Sequence, residues 1–475
     1  MRLAELAQLC EANLLRGDPQ ELVEQISTDS RSLTRGACFV ALRGPRFDGH
    51  QFVMDAAQRG ASAAVVSDPT CAMHSPTPKE FGVLQVQDTL TALHKLATNY
   101  RRSMPPTTRV VAITGSSGKT TTKQMVAAVL GEHFNVEKTD GNQNNHIGVP
   151  ISLMKLKPEH EFGVFELGTN HPGEIAQLAA LVQPDVGVIT NIGLAHVEFL
   201  GDEAGVAREK GALLEVLPNN GDGLAVLNAD DKWCSELRAR TRATVVTTGI
   251  ENFADIRASN IKIESDTSVG AGIKFRLNIA KKREDVIVRL GTLGRHQIYN
   301  ALQAAAVGYG MGMDLDEIRL GLESVEFPPM RMEQITVGRI RFINDCYNAN
   351  LPSMRAALEM VRETPCAGRK IAVLGDIREL GAWAKPAHAE VGRLAARCGL
   401  SLLVTVGTTA RWIAEEAVAE GMEGHHVLAV ANAAEAAETL RSLTHEDDFV
   451  LIKGSRKLEL EKILEAYGAV ETSAH

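Results

Sequence analysis

The sequence of 475 residues has no excess of positive charge: 50 Lys and Arg stand against 59 Asp and Glu, a formal net charge of −9. With no basic run along the chain, that balance argues against a nucleic-acid partner, which needs clustered Lys and Arg. A phosphate-bearing ligand would have to find local donors rather than a general positive field. Nowhere do 18 apolar residues run together, so no membrane span is expected. The N-terminus, MRLAELAQLCEANLL, sets charges among apolar residues at helical spacing and lacks the apolar stretch of a signal peptide. Seven cysteines are an odd, scattered number with no C-x-x-C pair, which excludes a disulfide framework and a zinc site of that kind. They read as small buried hydrophobes in a reducing compartment. Internal repeats and low-complexity tracts are absent too. The expectation is a soluble, cytoplasmic protein.

What is present is alternation of short apolar runs with helical patterns, over a length that calls for about three domains. The first block, 1–105, holds runs such as ACFVAL (37–42) and ASAAVV (61–66) between Gly, Asp and Pro turns, as in a small α/β domain. The second, 106–326, opens with RVVAIT (109–114) and repeats short runs at FGVFEL (162–167), VGVIT (186–190) and LAVLN (224–228). Runs apolar on both faces and separated by helices predict a mostly parallel sheet covered on both sides. A more polar stretch, 251–292, reads as antiparallel strands before a helix starting near Gln297. The third block, 327–475, alternates again at 340–345, 371–376, 402–407, 426–430 and 449–454, as in a second, dinucleotide-type sheet.

A phosphate-binding loop is expected where the second block's first strand ends. Thr114, Gly115, Ser116, Ser117, Gly118, Lys119, Thr120 and Thr121 follow the apolar run and lead straight into a helical pattern. The glycines let backbone amides turn inward, and the helix N-terminus adds roughly half a positive charge facing the phosphates. Lys119 would reach the terminal phosphates and the Thr120 hydroxyl would ligate Mg2+. One departure stands: the usual glycine five positions before Gly118 is here Ile113.

Three further residues are out of place for ordinary core positions. Glu166 closes an apolar strand at the sheet end where ligands bind, as a metal ligand or as a cap for the next helix. His196 and Glu198, in TNIGLAHVE, reach the same sheet edge, although a lone histidine is more often structural. Lys210 falls on the inward stripe of Val206, Leu213, Leu214 and Leu217. A lysine there either snorkels outward or needs a partner or a function; spacing leaves both open.

Taken together, TGSSGKT, GNQNNHIGVP (141–150), ELG (166–168), TNIGLAHVE (190–198) and GRHQIYNALQAAA (294–306) resemble the Mur ligases. These ATP-dependent amide synthetases build the peptidoglycan stem peptide and are related to the folylpolyglutamate synthetases. Ile113 fits that family's loop. STDSRSLTRGACFVALRGPRFDGH (27–50) is similar to its UDP-binding N-terminal domain. NDCYNANLPSM (344–354), GDIRELG (375–381) and IKGSR (452–456) resemble the member that adds D-alanyl-D-alanine to a UDP-muramoyl tripeptide. The diamino-acid-adding member would show an Asp-Asn-Pro-Arg run, which is missing.

The resemblance implies roles residue by residue. Lys119, Thr120 and Glu166 would serve the ATP phosphates and a first Mg2+, and His196 a second Mg2+. Lys210 matches a lysine that the family carbamoylates, turning a repelled ammonium into an anionic oxygen ligand. Asn142 and Asn145 would contact phosphate or substrate. Asn300, His296, Arg331 and Asp345 would serve the nucleotide. Ser30, Arg31, Asp48, Gly49 and His50 would face the uridine diphosphate. Tyr347, Asn348, Asn350, Lys453, Ser455 and Arg456 would line the dipeptide site. The protein is expected to act as a monomer. Three positions depart from the family pattern: Met330 where a glycine precedes Arg331, Asn344 beside Asp345, and Gln297 in GRHQ.

Overall fold

The computed structural model describes residues 1–44, 47–73, 80–264, 271–281 and 284–468. Pro45 and Arg46 of the segment 27–50 therefore lie outside the described residues. Two compact units emerge. The smaller takes Met1–Ala112, Asn135–Gly168 and Ala176–Asp185; the larger takes Ile113–Phe134, Thr169–Ile175 and Val186–His475. Among the described residues, no helix is long and apolar enough to cross a membrane.

The smaller unit carries a five-stranded sheet in the order Asn13–Arg16, Gly82–Gln85, Ala63–Val66, Cys38–Val40, Ile26–Ser27. The first pair is antiparallel and the others parallel. Strand alternation divides its core in two. Cys38, Val40, Ala63 and Val65 pack with Leu3, Leu6, Leu93 and Leu96 of the helices Leu3–Cys10 and Thr89–Ser103. Phe39, Ala41, Ala64 and Val66 pack with Val53 and Ala56 on the other face. In the same unit, Phe162–Glu166 pairs in parallel with Val136–Lys138.

In the larger unit, Val186–Ile189, Leu224–Asn228 and Thr244–Gly249 run parallel. The predicted antiparallel extension follows as Ile256–Glu264, Gly272–Ile279 and Glu284–Leu290. A second sheet has the order Glu333–Val337, Ile340–Asn344, Phe449–Lys453, Lys370–Gly375, Leu402–Val406, Val427–Val430, parallel except for its first pair. One apolar cluster runs from Ile189, Val197 and Leu214 through Leu351, Met354 and Leu358 to Leu374 and Leu451. It passes under the helix Leu351–Glu363, so that helix is anchored over most of its length.

Candidate nucleotide and metal site

The phosphate loop begins in the larger unit where the strand Arg109–Thr114 ends, and it delivers the chain to the helix Lys119–Gly131. Two glycines are required by geometry. Gly115 has φ +152° and a Cβ there would lie 1.7 Å from Thr190 Oγ1; Gly118 has φ +80° and a Cβ would lie 2.5 Å from Asn300 Oδ1. No side chain fits either place without displacing a neighbour.

The stretch Thr190–Gly193 holds the loop from behind. Thr190 Oγ1 donates to the Ser117 carbonyl at 2.6 Å, and Asn191 Nδ2 to the same oxygen at 3.1 Å. Asn191 Oδ1 accepts from the Ser117 N–H at 3.1 Å. Ser116 N–H donates to the Asn191 carbonyl at 2.9 Å. The Ser116 hydroxyl donates to the Gly193 carbonyl at 3.0 Å. Lys119 Nζ donates to the Gly115 carbonyl at 2.9 Å. Thr120 and Thr121 are buried.

Asn300, expected at the nucleotide, is buried behind the loop. Its Oδ1 accepts from Thr122 Oγ1 at 3.2 Å and its Nδ2 donates to Gln297 Oε1 at 2.8 Å. The glutamine that departs from the family pattern is therefore the acceptor that orients this amide. His296 starts the same helix, His296–Gly310. Its Nδ1 is shut off from solvent and, among the described residues, makes no hydrogen bond. Burial, opposed by Asp345 and reinforced by Lys453, pushes its imidazole down to about 4, so it is neutral at pH 7.

Asp345, Lys453 and Asn348 form one cluster. Lys453 Nζ, 2% exposed, lies 2.6 Å from Asp345 Oδ2 and donates to the Asn348 carbonyl at 3.2 Å. Removing either charge would strand the other in a buried place. The Arg331 guanidinium stacks over the Tyr347 ring at 4.1 Å. Met330 and Met332 on either side of Arg331 both have left-handed backbones, φ 58° and 55°. A glycine would adopt the first more readily. Asn344 Nδ2 donates to Glu333 Oε2 at 2.9 Å, a contact that an acid at 344 would turn into repulsion.

Asn350 joins this cluster to the phosphate loop. Its Oδ1 caps the helix Leu351–Glu363 by accepting from Ser353 N–H at 2.9 Å, and its Nδ2 donates to the Ser116 carbonyl at 2.9 Å. Pro352 packs so close that a Cβ on Gly193 would lie 2.6 Å from its Cγ. Ser455 is buried, and its Oγ has no hydrogen-bond partner among the described residues. Arg456 is paired with Glu461.

Lys210 does not snorkel: it is 0% exposed within the helix Glu203–Glu215. Beside it, the buried Glu209 accepts from Gly173 N–H at 2.6 Å and Ile175 N–H at 2.8 Å, pinning the segment Thr169–Ile175. His196 adopts φ 56°, and its Nδ1 lies 2.5 Å from Glu379 Oε2. That contact holds the Glu379 carboxyl below its usual range.

In the smaller unit, Glu166 ends its strand 2% exposed, and Asn144 Nδ2 donates to it at 2.7 Å. Asn145 Oδ1 accepts from Ile147 and Gly148 N–H at 3.0 and 2.9 Å, opening the helix Gly148–Leu153. The Asn142 carbonyl accepts from Asn144 N–H at 2.7 Å. His50, expected at the uridine diphosphate, spends both ring nitrogens inside the protein: Nδ1 on Asp48 at 2.6 Å and Nε2 on Ser67 N–H at 2.9 Å. Gly49 packs against the Leu42 carbonyl, Ser30 is buried, and Arg31 is exposed and doubly bonded to Asp29. The residues missed from sequence are Asn144, Asn191, Glu209 and Glu379, each a side chain that holds a neighbour in place.

By donor chemistry, a hydroxyl at Thr120 and a carboxylate at Glu166 suit Mg2+, which prefers oxygen. The imidazole of His196 is a weaker match. Lys210 fits only as a carbamate, since a buried ammonium would repel the ion.

Three family models cover most of the chain: the Mur ligase middle domain matches residues 113–308, the Mur ligase glutamate ligase domain residues 330–456, and the Mur ligase family catalytic domain residues 22–101. The chain belongs to the Mur ligase family. Among its relatives, UDP-N-acetylmuramoyl-tripeptide--D-alanyl-D-alanine ligase of Escherichia coli (strain K12) is 37% identical over 471 residues, covering 98% of this chain and 97% of that protein. The protein of the same name from Bacillus subtilis (strain 168) is 34% identical, covering 94% and 93%. Among solved structures, MurF from Acinetobacter baumannii matches with a TM-score of 0.86 at 31% identity over 98% of both chains. MurF ligase from Thermotoga maritima in complex with ADP matches at 0.79 and 27%, covering 94% and 97%.

Proposed function

We propose that the chain joins D-alanyl-D-alanine to the terminal carboxylate of a UDP-N-acetylmuramoyl-tripeptide, converting ATP to ADP and phosphate, in peptidoglycan precursor synthesis. The observation that carries this reading is the contact between Asn350 and Ser116. It seats the NDCYNAN segment, the part of the sequence that singles out this acceptor, directly on the phosphate loop.

The substrate carboxylate attacks the γ-phosphorus in line and ADP leaves. Lys119 and the loop amides offset the charge on the equatorial oxygens. The dipeptide amine, having lost a proton, then attacks the acyl carbon and phosphate departs. Mg2+, when bound, would supply further neutralisation of the phosphates; in the larger unit Thr120 is the donor for one ion, and His196 with Lys210 as carbamate those for a second, while Glu166 is the smaller unit's carboxylate donor. His296, Asn300, Arg331 and Asp345 serve the nucleotide, His296 as a neutral ring and Asn300 by fixing the loop from behind. Tyr347, Asn348, Asn350, Lys453, Ser455 and Arg456 shape the dipeptide side. Ser30, Arg31, Asp48, Gly49 and His50 serve the uridine diphosphate, with His50 bracing its loop, and Asn142 and Asn145 order the turn before Glu166. The working division of labour is 1–105, 106–326 and 327–475, in a cytoplasmic monomer. Excluding water from the acyl phosphate requires amine and intermediate to be placed together.

Phosphate release in the presence of ATP tests the reading. It should require both the UDP-muramoyl-tripeptide and D-alanyl-D-alanine. Turnover driven instead by glutamate on a folate acceptor would reject it.

A further inference from the structure

His196, which precedes the short helix Val197–Leu200, and Glu379, in the loop after the strand Lys370–Gly375, face each other within the larger unit, and both have left-handed backbones, φ 56° and 58°. L-residues adopt that region at a penalty, and such outliers gather where a function over-determines them. Their contact is double. His196 Nδ1 lies 2.5 Å from Glu379 Oε2, and the Glu198 N–H donates to the Glu379 carbonyl at 3.3 Å. Gly381, at φ +50°, lets the loop approach until a Cβ there would lie 3.3 Å from Glu198 Cα.

The root of this loop is fixed. Asp376 accepts the N–H groups of Thr409 and Ala410 at 2.9 and 2.7 Å, and Ile377 N–H donates to His388 Nε2 at 3.0 Å. The pair itself is half in solvent, with side chains 24% and 44% exposed. A half-exposed contact of this kind between an imidazole and a carboxylate contributes little to stability, too little to offset two left-handed residues.

A different use follows from the chemistry of the ring. With Nδ1 donating to a carboxylate, the lone pair is left on Nε2, and the carboxylate fixes the direction in which that lone pair points. An imidazole that must compete for a cation preferring oxygen needs that help. We infer that Glu379 is a positioning residue for the metal site, fixing the tautomer and orientation of His196 so that Nε2 ligates a divalent cation. This rests on the reading of His196 as a metal ligand. It makes the second cation sensitive to whether the loop GDIRELG is seated.

Binding of Mn2+ to the full chain in the presence of ADP, followed by electron paramagnetic resonance of the free ion, tests this without turnover. His196→Ala sets the full loss. Glu379→Ala should weaken the same Mn2+ by about ten- to a hundredfold. Glu379→Gln, whose amide oxygen still accepts from Nδ1, should weaken it less and guards against a folding defect. If His196→Ala weakens Mn2+ binding while both Glu379 variants titrate like the unsubstituted protein, the positioning role is overturned and the ligand reading stands. If His196→Ala also leaves Mn2+ binding unchanged, both fall.

Discussion

Substituting Asn350 separates two contributions that meet in one side chain. Its oxygen caps the helix Leu351–Glu363 through Ser353 N–H, and its nitrogen tethers the phosphate loop through the Ser116 carbonyl. Asn350→Ala removes both. The lost cap is worth about 1 kcal/mol, and the lost tether, on a buried serine, about 1 kcal/mol more. Asn350→Asp keeps the cap, since aspartate accepts equally well and suits the helix dipole. It removes the donor, however, and sets a carboxylate oxygen against the Ser116 carbonyl. The two variants should therefore diverge. Asn350→Ala should lower the urea midpoint and weaken ADP about fivefold, the equivalent of ~1 kcal/mol. Asn350→Asp should keep most of the stability yet bind ADP more weakly than the alanine variant. Urea unfolding and calorimetric titration with ADP and magnesium measure the two effects independently. Wild-type ADP affinity in Asn350→Asp would refute the tether, and equal losses of stability in both variants would refute the cap.

Three further outcomes are expected. Gly115→Ala would push its Cβ into Thr190 Oγ1 and break the bond to the Ser117 carbonyl, so ADP titration should show about a thirtyfold loss if that bond and the loop's shape each contribute ~1 kcal/mol. His296 is protonated at its ordinary 6.5 in the unfolded chain but only near 4 when folded, so its share of stability is complete above pH 6.5 and is lost as pH falls. By pH 5 about 2 kcal/mol should be gone, and urea midpoints at pH 7 and 5 should show that slope flattened in His296→Gln. Lys210→Arg keeps a cation that no carbon dioxide can convert, so kcat should fall about a hundredfold or more, with 13C-bicarbonate labelling, seen by NMR in the unsubstituted protein, absent from the variant.

The strands most plainly legible in the sequence are those buried on both faces. The run FVLIKG is a strand because Phe449–Lys453 sits inside a sheet with every residue covered, and burial on both sides leaves a continuous apolar signature. Glu333–Val337 had no such signature: it is an edge strand whose residues alternate between half-buried and exposed, EQITV, and only its hairpin with Ile340–Asn344 makes it a strand. Thr244–Gly249 was missed for a related reason. Three threonines break its apolar run, while the parallel register with Leu224–Asn228 supplies what the composition lacks.

The site divides along the same physical line. Glu166 and Lys210 stood out because a charge inside an apolar pattern is expensive, so its presence demands an account; both are buried. Asn144 and Asn191 carried no such signal, and Asn350 stood out only through its place in a family-like motif, for the dipeptide rather than for the loop. Asn144, Asn191 and Asn350 lie in polar loops where asparagine is unremarkable, and each acts through geometry that only the folded chain creates: one on Glu166, one on Ser117, one on Ser116. An amide both donates and accepts, so it can fix a loop at two points without adding charge next to phosphates or metal. A carboxylate in place of Asn191 or Asn350 would alter the field that the loop presents, whereas asparagine leaves the field to Lys119 and the helix N-terminus. Sequence reading finds the residues that supply charge, and these amides supply the order in which that charge is held.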